Sequence, residues 1–186
     1  MRTGGEGKGK VVVNRSVSID GFIAGPGDAM EWIFESLAPD GDDVAAIAAE
    51  TGAMLVGRRT YDVGRRIEAA EPGGADYPSS GPTFLLTHRP PDPPDPGVTV
   101  LTGDIGDAVA TALDAAGGKN VELLGADVAA QAFGRGLVDE VLVYVIPVVL
   151  GEGVPFSPAG STRVDLEPIS STRSGAVSIL RFRVRR

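Results

Sequence analysis

The chain has 186 residues, with 25 acidic and 17 basic side chains, a formal net charge of −8, one histidine and no cysteine. Its length favours one domain, and a hydrophobic content of 42% is enough for a buried core. Without cysteine there are no disulfides or thiolate ligands, and one histidine excludes a histidine-rich zinc centre, so no metal site is expected. The negative net charge argues against nucleic acid as a partner.

The apolar runs give no sign of a membrane or secretory segment. The longest, residues 141–150, is about half the length that spans a bilayer, and residues 1–10 lack the apolar core of a signal peptide. We therefore expect a cytoplasmic protein with no membrane partner. Residues 1–9 are polar and glycine-rich, and we expect a flexible tail there, followed by a single domain over residues 10–186.

Hydrophobic patterns and turn residues predict a first strand followed by two helices, and then strands and helices that alternate across residues 53–135. The predicted strands are residues 10–18, 53–56, 83–87, 98–101 and 121–124. The predicted helices are residues 28–35, 42–50, 60–70, 104–117 and 126–135, with N-caps at Asp28, at Asp42 or Asp43, and at Asp104. Such alternation is typical of βαβ crossovers and of a mostly parallel sheet covered on both faces.

From residue 138 the pattern changes to strands without helices. The predicted strands are residues 138–151, 163–174 and 176–185, the last two joined by a hairpin at Ser174-Gly175. These would be antiparallel strands added to the parallel sheet. The apolar run at 141–150 could pair with its copy in a dimer, but burial in the core is the simpler interpretation. The proline-rich residues 90–97 (PPDPPDPG) favour a stiff turn over a peptide-recognition ligand.

Polar and small residues follow three of the predicted strands, where an α/β sheet binds its ligands. They are GRRTY at residues 57–61, Thr87-His88-Arg89, and Gly125-Ala126-Asp127. Helix N-termini and arginines at these positions favour a phosphate. Taken singly, each has a plainer interpretation: the arginines as solvated charges, His88 as an exposed turn residue rather than a base, and Gly125 as an ordinary turn glycine. Their repetition at three strand ends predicts phosphate contacts there.

Four segments together resemble the dihydrofolate reductase-like superfamily, and more closely the stand-alone relatives of the riboflavin-biosynthesis reductase domain of bifunctional deaminase-reductases. They are VSIDGFIAG, GRRTY, LLGADVAAQ and GLVDEVLVYVIPVVLGEGVPF, and the resemblance covers about residues 10–186. It implies a three-layer α/β fold around a mixed sheet of about eight strands, mostly parallel with antiparallel C-terminal strands and with helices on both faces. It also implies NADPH as cofactor, a small-molecule substrate and a homodimer.

The resemblance also implies roles for individual residues. Cofactor phosphates would lie at Gly57, Arg58 and Thr60, and the pyrophosphate over the turn formed by Gly125, Ala126, Asp127 and Val128. The adenosine ribose and its 2′-phosphate would lie at Thr87, His88 and Arg89, with Arg89 selecting NADPH. The nicotinamide would lie beside Ser16, Ile23 and Ala24, and the substrate beside Asp20 and Trp32. No catalytic residue is predicted.

Two positions depart from the family pattern. Leu124 stands before Gly125, where relatives usually have a second glycine, so an altered cofactor affinity is expected. Leu37 stands where dihydrofolate reductases have the carboxylate that protonates the pterin, so folate reduction is not expected.

The leading hypothesis is an NADPH-dependent reductase that transfers hydride to a small C=N or C=O acceptor, such as a 5-amino-6-(5-phosphoribosylamino)uracil-like precursor of riboflavin. The alternative is a catalytically silent nucleotide-binding or regulatory dimer of the same fold.

Overall fold

A computed structural model describes residues 9–36, 42–70 and 81–186 of the chain. The predicted tail at residues 1–8 and the departure at Leu37 lie outside these residues. The strands are β1 (Val11–Ser18), β2 (Phe22–Ala24), β3 (Thr51–Gly57), β4 (Thr83–Leu86), β5 (Val98–Leu101), β6 (Asn120–Leu124), β7 (Glu140–Ile146), β8 (Val154–Pro155), β9 (Leu166–Ser174) and β10 (Val177–Val184). The helices are α1 (Glu31–Phe34), α2 (Asp42–Glu50), α3 (Arg58–Ala70), α4 (Ile105–Ala115) and α5 (Ala126–Gly134), and a 3-10 turn covers Pro26–Asp28.

An eight-stranded sheet organises the fold, with strand order β5-β4-β3-β6-β1-β7-β10-β9. The six strands from β5 to β7 are parallel to their neighbours, whereas β10 is antiparallel to both β7 and β9. The predicted fold class is therefore confirmed. Because the carboxyl ends of the parallel strands share one edge of the sheet, the turns after β3, β4 and β6 lie side by side.

The two faces of the sheet carry separate apolar layers, because successive strand residues point to opposite sides. Val11 and Val13 of β1 belong to the layer that α4 and α5 cover, whereas Val12 belongs to the layer on the other face. Trp32 of α1 and Ile47 of α2 pack against that second layer. The buried strands between these layers give the C-terminal turns a rigid base.

Local sequence signals explain several element ends. Asp104 caps α4 as predicted, since its carboxylate accepts a hydrogen bond of 2.8 Å from the Gly106 backbone N–H. Gly117 follows the helix with a φ of 60°, the left-handed conformation typical of a helix stop. Gly175, with a φ of 57°, turns the predicted hairpin between β9 and β10.

Two predicted elements were wrong in detail, and one small sheet was not predicted. Asp28 ends the 3-10 turn instead of capping a helix to Glu35, because Pro26 and Gly27 favour a turn there. The long strand predicted to residue 151 ends at Ile146, directly before Pro147, which has no N–H to continue the ladder. The pattern also missed the small sheet of β2 and β8, whose strands are too short to show an alternation.

Candidate functional site

An open cleft of about 1750 Å³ lies over the carboxyl ends of the parallel strands. A pocket for one small ligand usually measures about 300–1,000 Å³, so this cleft has room for a dinucleotide and a second molecule. Thirteen of the fifteen predicted site residues line it. They are Ser16, Ile23, Ala24, Gly57, Arg58, Thr60, Thr87, His88, Arg89, Gly125, Ala126, Asp127 and Val128.

Two glycine-containing turns approach each other closely in the cleft. Gly125 has φ 108° and ψ 143°, and a Cβ there would lie 2.6 Å from Thr60 Oγ1. A Cβ at Gly57 would lie 3.0 Å from Val128 Cγ2. The turns after β3 and β6 therefore pack directly against each other, and they bring the N-termini of α3 and α5 together at the cleft.

The first turn of α5 is left without a side-chain cap. Gly125 occupies the N-cap position and has no side chain that could accept a hydrogen bond from the N–H groups that follow it. Uncapped N–H groups and the positive end of the helix dipole favour an anion. Leu124, the departure from the family pattern, pairs with Val56 as the last residue of β6, and Gly125 alone provides the turn conformation.

The two arginines at the start of α3 are engaged by protein groups. Arg58 Nε donates to both carboxylate oxygens of Asp62, at 2.8 and 3.0 Å, and its Nη1 donates to the Arg89 carbonyl. Arg59 pairs with Asp28 at 2.6 Å. Both pairs lie at the surface, where an ion pair contributes about 0–1 kcal/mol, so a phosphate could displace either carboxylate at small cost.

The turn after β4 presents a free cation. Thr87 is buried, and its hydroxyl accepts a hydrogen bond of 3.0 Å from the Arg89 backbone N–H. The side chains of His88 and Arg89 are exposed. Within residues 9–36, 42–70 and 81–186, the Arg89 guanidinium forms no ion pair, so it remains available to an anionic ligand.

The proline-rich turn beside it is fixed to α3. Asp95 accepts hydrogen bonds from the Gly97 N–H and the Tyr61 hydroxyl, both at 2.8 Å. The Gly97 N–H, and then Tyr61, lower the pKa of Asp95, whereas burial, and then the Asp95 carboxylate, raise the pKa of Tyr61. This turn therefore borders the cleft as a fixed wall, in accord with the stiff turn that the prolines predict.

Asp20 and Trp32 do not line the cleft, in contrast to the other predicted site residues. The Asp20 carboxylate accepts hydrogen bonds from the Ser18 hydroxyl (2.7 Å) and from the backbone N–H groups of Leu150 (3.1 Å) and Gly151 (2.7 Å). The Ser18 hydrogen bond is the largest cause that lowers the pKa of Asp20 to about 2. Trp32 Nε1 donates to the Ala29 carbonyl at 3.1 Å. Their substrate role stays a prediction.

The sequence reasoning missed a buried polar group on the cleft floor. Glu122 accepts hydrogen bonds from Thr51 Oγ1 at 2.6 Å and from Asn14 Nδ2 at 3.1 Å. All three residues are buried, on the adjacent strands β3, β6 and β1. The signal in the sequence is a charged residue inside an apolar strand, VELL, which requires a partner wherever the strand is buried.

Arg15, in the middle of β1, is a second residue that the sequence reasoning missed. It is only 6% exposed and lines the cleft. Its Nη2 donates to the Gly125 carbonyl at 2.7 Å, its Nη1 donates to the Phe156 carbonyl, and its guanidinium lies 4.9 Å from the centre of the Phe156 ring. Burial lowers the pKa of Arg15 to about 10, so the side chain stays cationic at neutral pH.

The described residues contain neither a cluster suited to a metal ion nor a helix suited to a membrane. The described part of the chain contains no group of three or more histidine, aspartate or glutamate side chains placed to hold a metal ion. No helix within it is long and apolar enough to cross a membrane. The cytoplasmic location stays a prediction of the sequence.

Solved structures of two reductases and of a protein named for riboflavin biosynthesis share this fold. A protein from Shewanella sp. PV-4 whose name refers to riboflavin biosynthesis has a TM-score of 0.77 at 22% identity, over 95% of this chain and 99% of that one. The Thermotoga maritima diaminohydroxyphosphoribosylaminopyrimidine deaminase/5-amino-6-(5-phosphoribosylamino)uracil reductase has a TM-score of 0.67 at 14% identity. That match covers 96% of this chain but only 57% of the longer protein.

A third structure is the dihydrofolate reductase of Enterococcus faecalis, solved in complex with NADP(H). It has a TM-score of 0.65 at 18% identity, over 96% of this chain and 98% of that chain. At these identities the likeness establishes the dihydrofolate reductase-like fold. The sequence match is more specific, because residues 9–180 match the family described as the RibD C-terminal domain. The chain therefore belongs to the RibD C-terminal domain family and carries its dihydrofolate reductase-like fold.

Proposed function

We propose that the protein is an NADPH-dependent reductase that transfers hydride to a small C=N or C=O acceptor. The observation that carries the proposal is the contact between the turns at Gly57 and Gly125, which leaves no space for a Cβ at Gly125 and brings two helix N-termini together. Backbone groups can approach a pyrophosphate closely only where side chains are absent. The residues present therefore fit a dinucleotide, and family membership supports a reductase.

The cleft residues divide along its length into three groups. Gly57, Thr60 and residues 125–128 would hold the pyrophosphate, and residues 87–89 the adenosine ribose and 2′-phosphate. Ser16, Ile23 and Ala24 would flank the nicotinamide, which supplies the hydride when the cofactor is bound. Apolar side chains of Met30, Ile33 and Met54 also line the cleft. They would exclude water from the position of transfer.

The acceptor in this proposal is an aminopyrimidine such as 5-amino-6-(5-phosphoribosylamino)uracil. The name of the Thermotoga maritima relative supports this substrate class. The polar group on the cleft floor also supports it, since Asn14 and Glu122 are buried hydrogen-bonding groups that line the cleft. A heterocycle with several N–H and C=O groups is better suited to such a floor than a hydrocarbon-like acceptor.

The assay is the oxidation of NADPH by the purified chain with 5-amino-6-(5-phosphoribosylamino)uracil and a panel of small imines and ketones. Turnover of at least one acceptor supports the reductase. Tight binding of NADPH without turnover over the whole panel would favour the silent nucleotide-binding dimer instead.

The cofactor preference is tested with Arg89→Ala. Arg89 is exposed, forms no ion pair with the described residues and lies at the predicted 2′-phosphate position. The variant should therefore weaken the binding of NADPH by about tenfold and leave the binding of NADH nearly unchanged. Equal losses for both cofactors would refute its selector role. Arg163→Ala removes a remote exposed charge and serves as the control.

We also propose that the chain forms a homodimer through β9. Burial of residues 140–146 between β1 and β10 excludes that strand as an open pairing edge, in accord with the simpler interpretation of the apolar run. β9 instead ends the sheet with Leu166 and Ile169 exposed. An uncovered apolar edge strand favours association. A sedimentation mass near 19.1 kDa, that of one chain, would contradict the dimer.

A further inference from the structure

Arg15 is a buried cation that lines the cleft. Among the residues that the structure describes, it forms no ion pair, and its Nε atom has no hydrogen-bond acceptor. Its Nη atoms are held by two backbone carbonyls and its face by the Phe156 ring. The Asp127 carboxylate raises the pKa of Arg15, but less than burial lowers it.

Such an arrangement is costly unless a negative charge compensates it. An unpaired buried ion loses its hydration, and carbonyl dipoles and an aromatic ring restore only part of that free energy. A structural bridge between two carbonyls needs hydrogen-bond donors but does not need a formal charge. The retained charge indicates that a partner of opposite sign belongs near this position.

The hydrogen bonds of Arg15 identify where that partner lies. Arg15 Nη2 binds the carbonyl of Gly125, the residue immediately before α5. By holding this carbonyl on the buried side, Arg15 fixes the orientation of the turn that begins the helix. The uncapped N–H groups of the first helical turn then lie at the cleft, on the same short segment as the Arg15 contact.

We infer that Arg15 is a positioning residue for the pyrophosphate of a bound dinucleotide, which supplies the missing negative charge. It fixes the Gly125 turn through its hydrogen bond and adds a buried positive charge behind the N-terminus of α5. This role rests on the proposed function, since it assigns the central part of the cleft to the dinucleotide.

The inference distinguishes ligands by whether they carry a pyrophosphate. Arg15→Met removes the positive charge and the hydrogen bond to the Gly125 carbonyl. Because hydrogen bonds that involve a charged group are individually strong, the variant should weaken the binding of NADPH by about tenfold or more. It should change the affinity of 2′-AMP by less than about twofold, because that nucleotide has the adenosine and 2′-phosphate but no pyrophosphate. A purely structural Arg15 would weaken both ligands alike.

A second variant and a control keep the test independent of folding. Arg15→Gln retains one donor for the Gly125 carbonyl but no charge, so it should show the same difference between ligands if Arg15→Met does not fold. Arg163→Gln makes the same change in net charge at an exposed remote site and should bind both ligands as the wild type does. Circular dichroism and the melting temperature report the folded fraction of each variant.

The decisive readout is the ratio of the NADPH and 2′-AMP dissociation constants, measured calorimetrically. A ratio that rises by about tenfold in either Arg15 variant supports the inference. An unchanged ratio overturns it. If the wild type binds no NADPH, the proposed function fails, and inorganic pyrophosphate then tests Arg15 separately: binding to the wild type but not to Arg15→Gln supports an anion role, and equal or absent binding overturns it.

Discussion

At the scale of single residues, Gly125 and Arg15 together determine the conformation of the turn at the cleft. Gly125 combines a backbone conformation of φ 108° and ψ 143° with the contact to Thr60. Few residues other than glycine adopt this conformation, and a non-glycine residue held there stores about 1–3 kcal/mol of strain. Arg15 then fixes the carbonyl of the same residue. The position is thus determined by its backbone conformation, its neighbour and its hydrogen bond.

Gly125→Ala should therefore lose both stability and cofactor binding. We expect a loss of about 1–3 kcal/mol in the free energy of unfolding from backbone strain, increased by the clash with Thr60, and a marked weakening of NADPH. The matched control is Gly136→Ala, also at positive φ but with no atom within 4 Å of its Cβ. Denaturant unfolding and NADPH titration measure both effects; equal behaviour of the two variants would contradict the role of the turn contact.

Asp20 fixes the loop that follows β7, since its carboxylate accepts from the N–H groups of Leu150 and Gly151. Its pKa is lowered to about 2, so these contacts are complete above the ordinary value of 3.8 and are lost as the pH falls through about 2. Hydrogen exchange should show steady protection of both amides between neutral pH and about pH 4. Asp20→Asn should reduce that protection, whereas the exposed control Asp165→Asn should not. Unchanged protection in Asp20→Asn would refute the anchor.

At the scale of elements, ion pairs connect the strands at one edge of the sheet, near the amino ends of the parallel strands. At their carboxyl ends, backbone turns pack against each other. Glu140, at the start of β7, accepts from Lys10 at 2.6 Å and from Arg181 at 2.7 Å. Arg181 also binds Glu50, the last residue of α2, at 2.9 Å. One buried carboxylate thus connects β7 with β10 and with the residue before β1. These ion pairs stabilise the sheet at this edge, and the cleft lies over the opposite edge.

Glu140→Gln should destabilise the fold by about 2 kcal/mol, because two hydrogen bonds to a charged group are weakened. Burial raises the pKa of Glu140, but the hydrogen bonds from Lys10 and Arg181 outweigh it and leave the pKa below 4.5. The contribution is therefore complete above about pH 4.5 and is lost as the pH falls below it. Chemical unfolding of the wild type and the variant at pH 7 and pH 3 measures the loss in the free energy of unfolding. Glu167→Gln, in an exposed pair with Arg183, is the control; equal losses in both variants would contradict the argument.

For the whole molecule, local sequence patterns predicted those elements, caps and turns that depend on interactions between neighbouring residues. The β5 strand, the Asp104 cap and the hairpin at Gly175 depend on neighbouring residues, and the structure confirms each. The buried group of Thr51 and Glu122 joins residues 71 apart, and Arg15 reaches a carbonyl 110 residues away. No local pattern identifies such partners, although a charged residue within a β-branched strand indicates that one is needed. Family motifs indicated thirteen residues that line the cleft but neither of these groups.

The central claim is that the cleft over the parallel strands is a dinucleotide site with a preference for NADPH. Its most direct test is a fluorescence titration of the wild-type chain with NADPH and, separately, with NADH. We predict saturable binding of one NADPH per chain, tighter than NADH by about tenfold because the proposed site would place the 2′-phosphate beside the Arg89 guanidinium. Absence of binding for both cofactors would contradict the account.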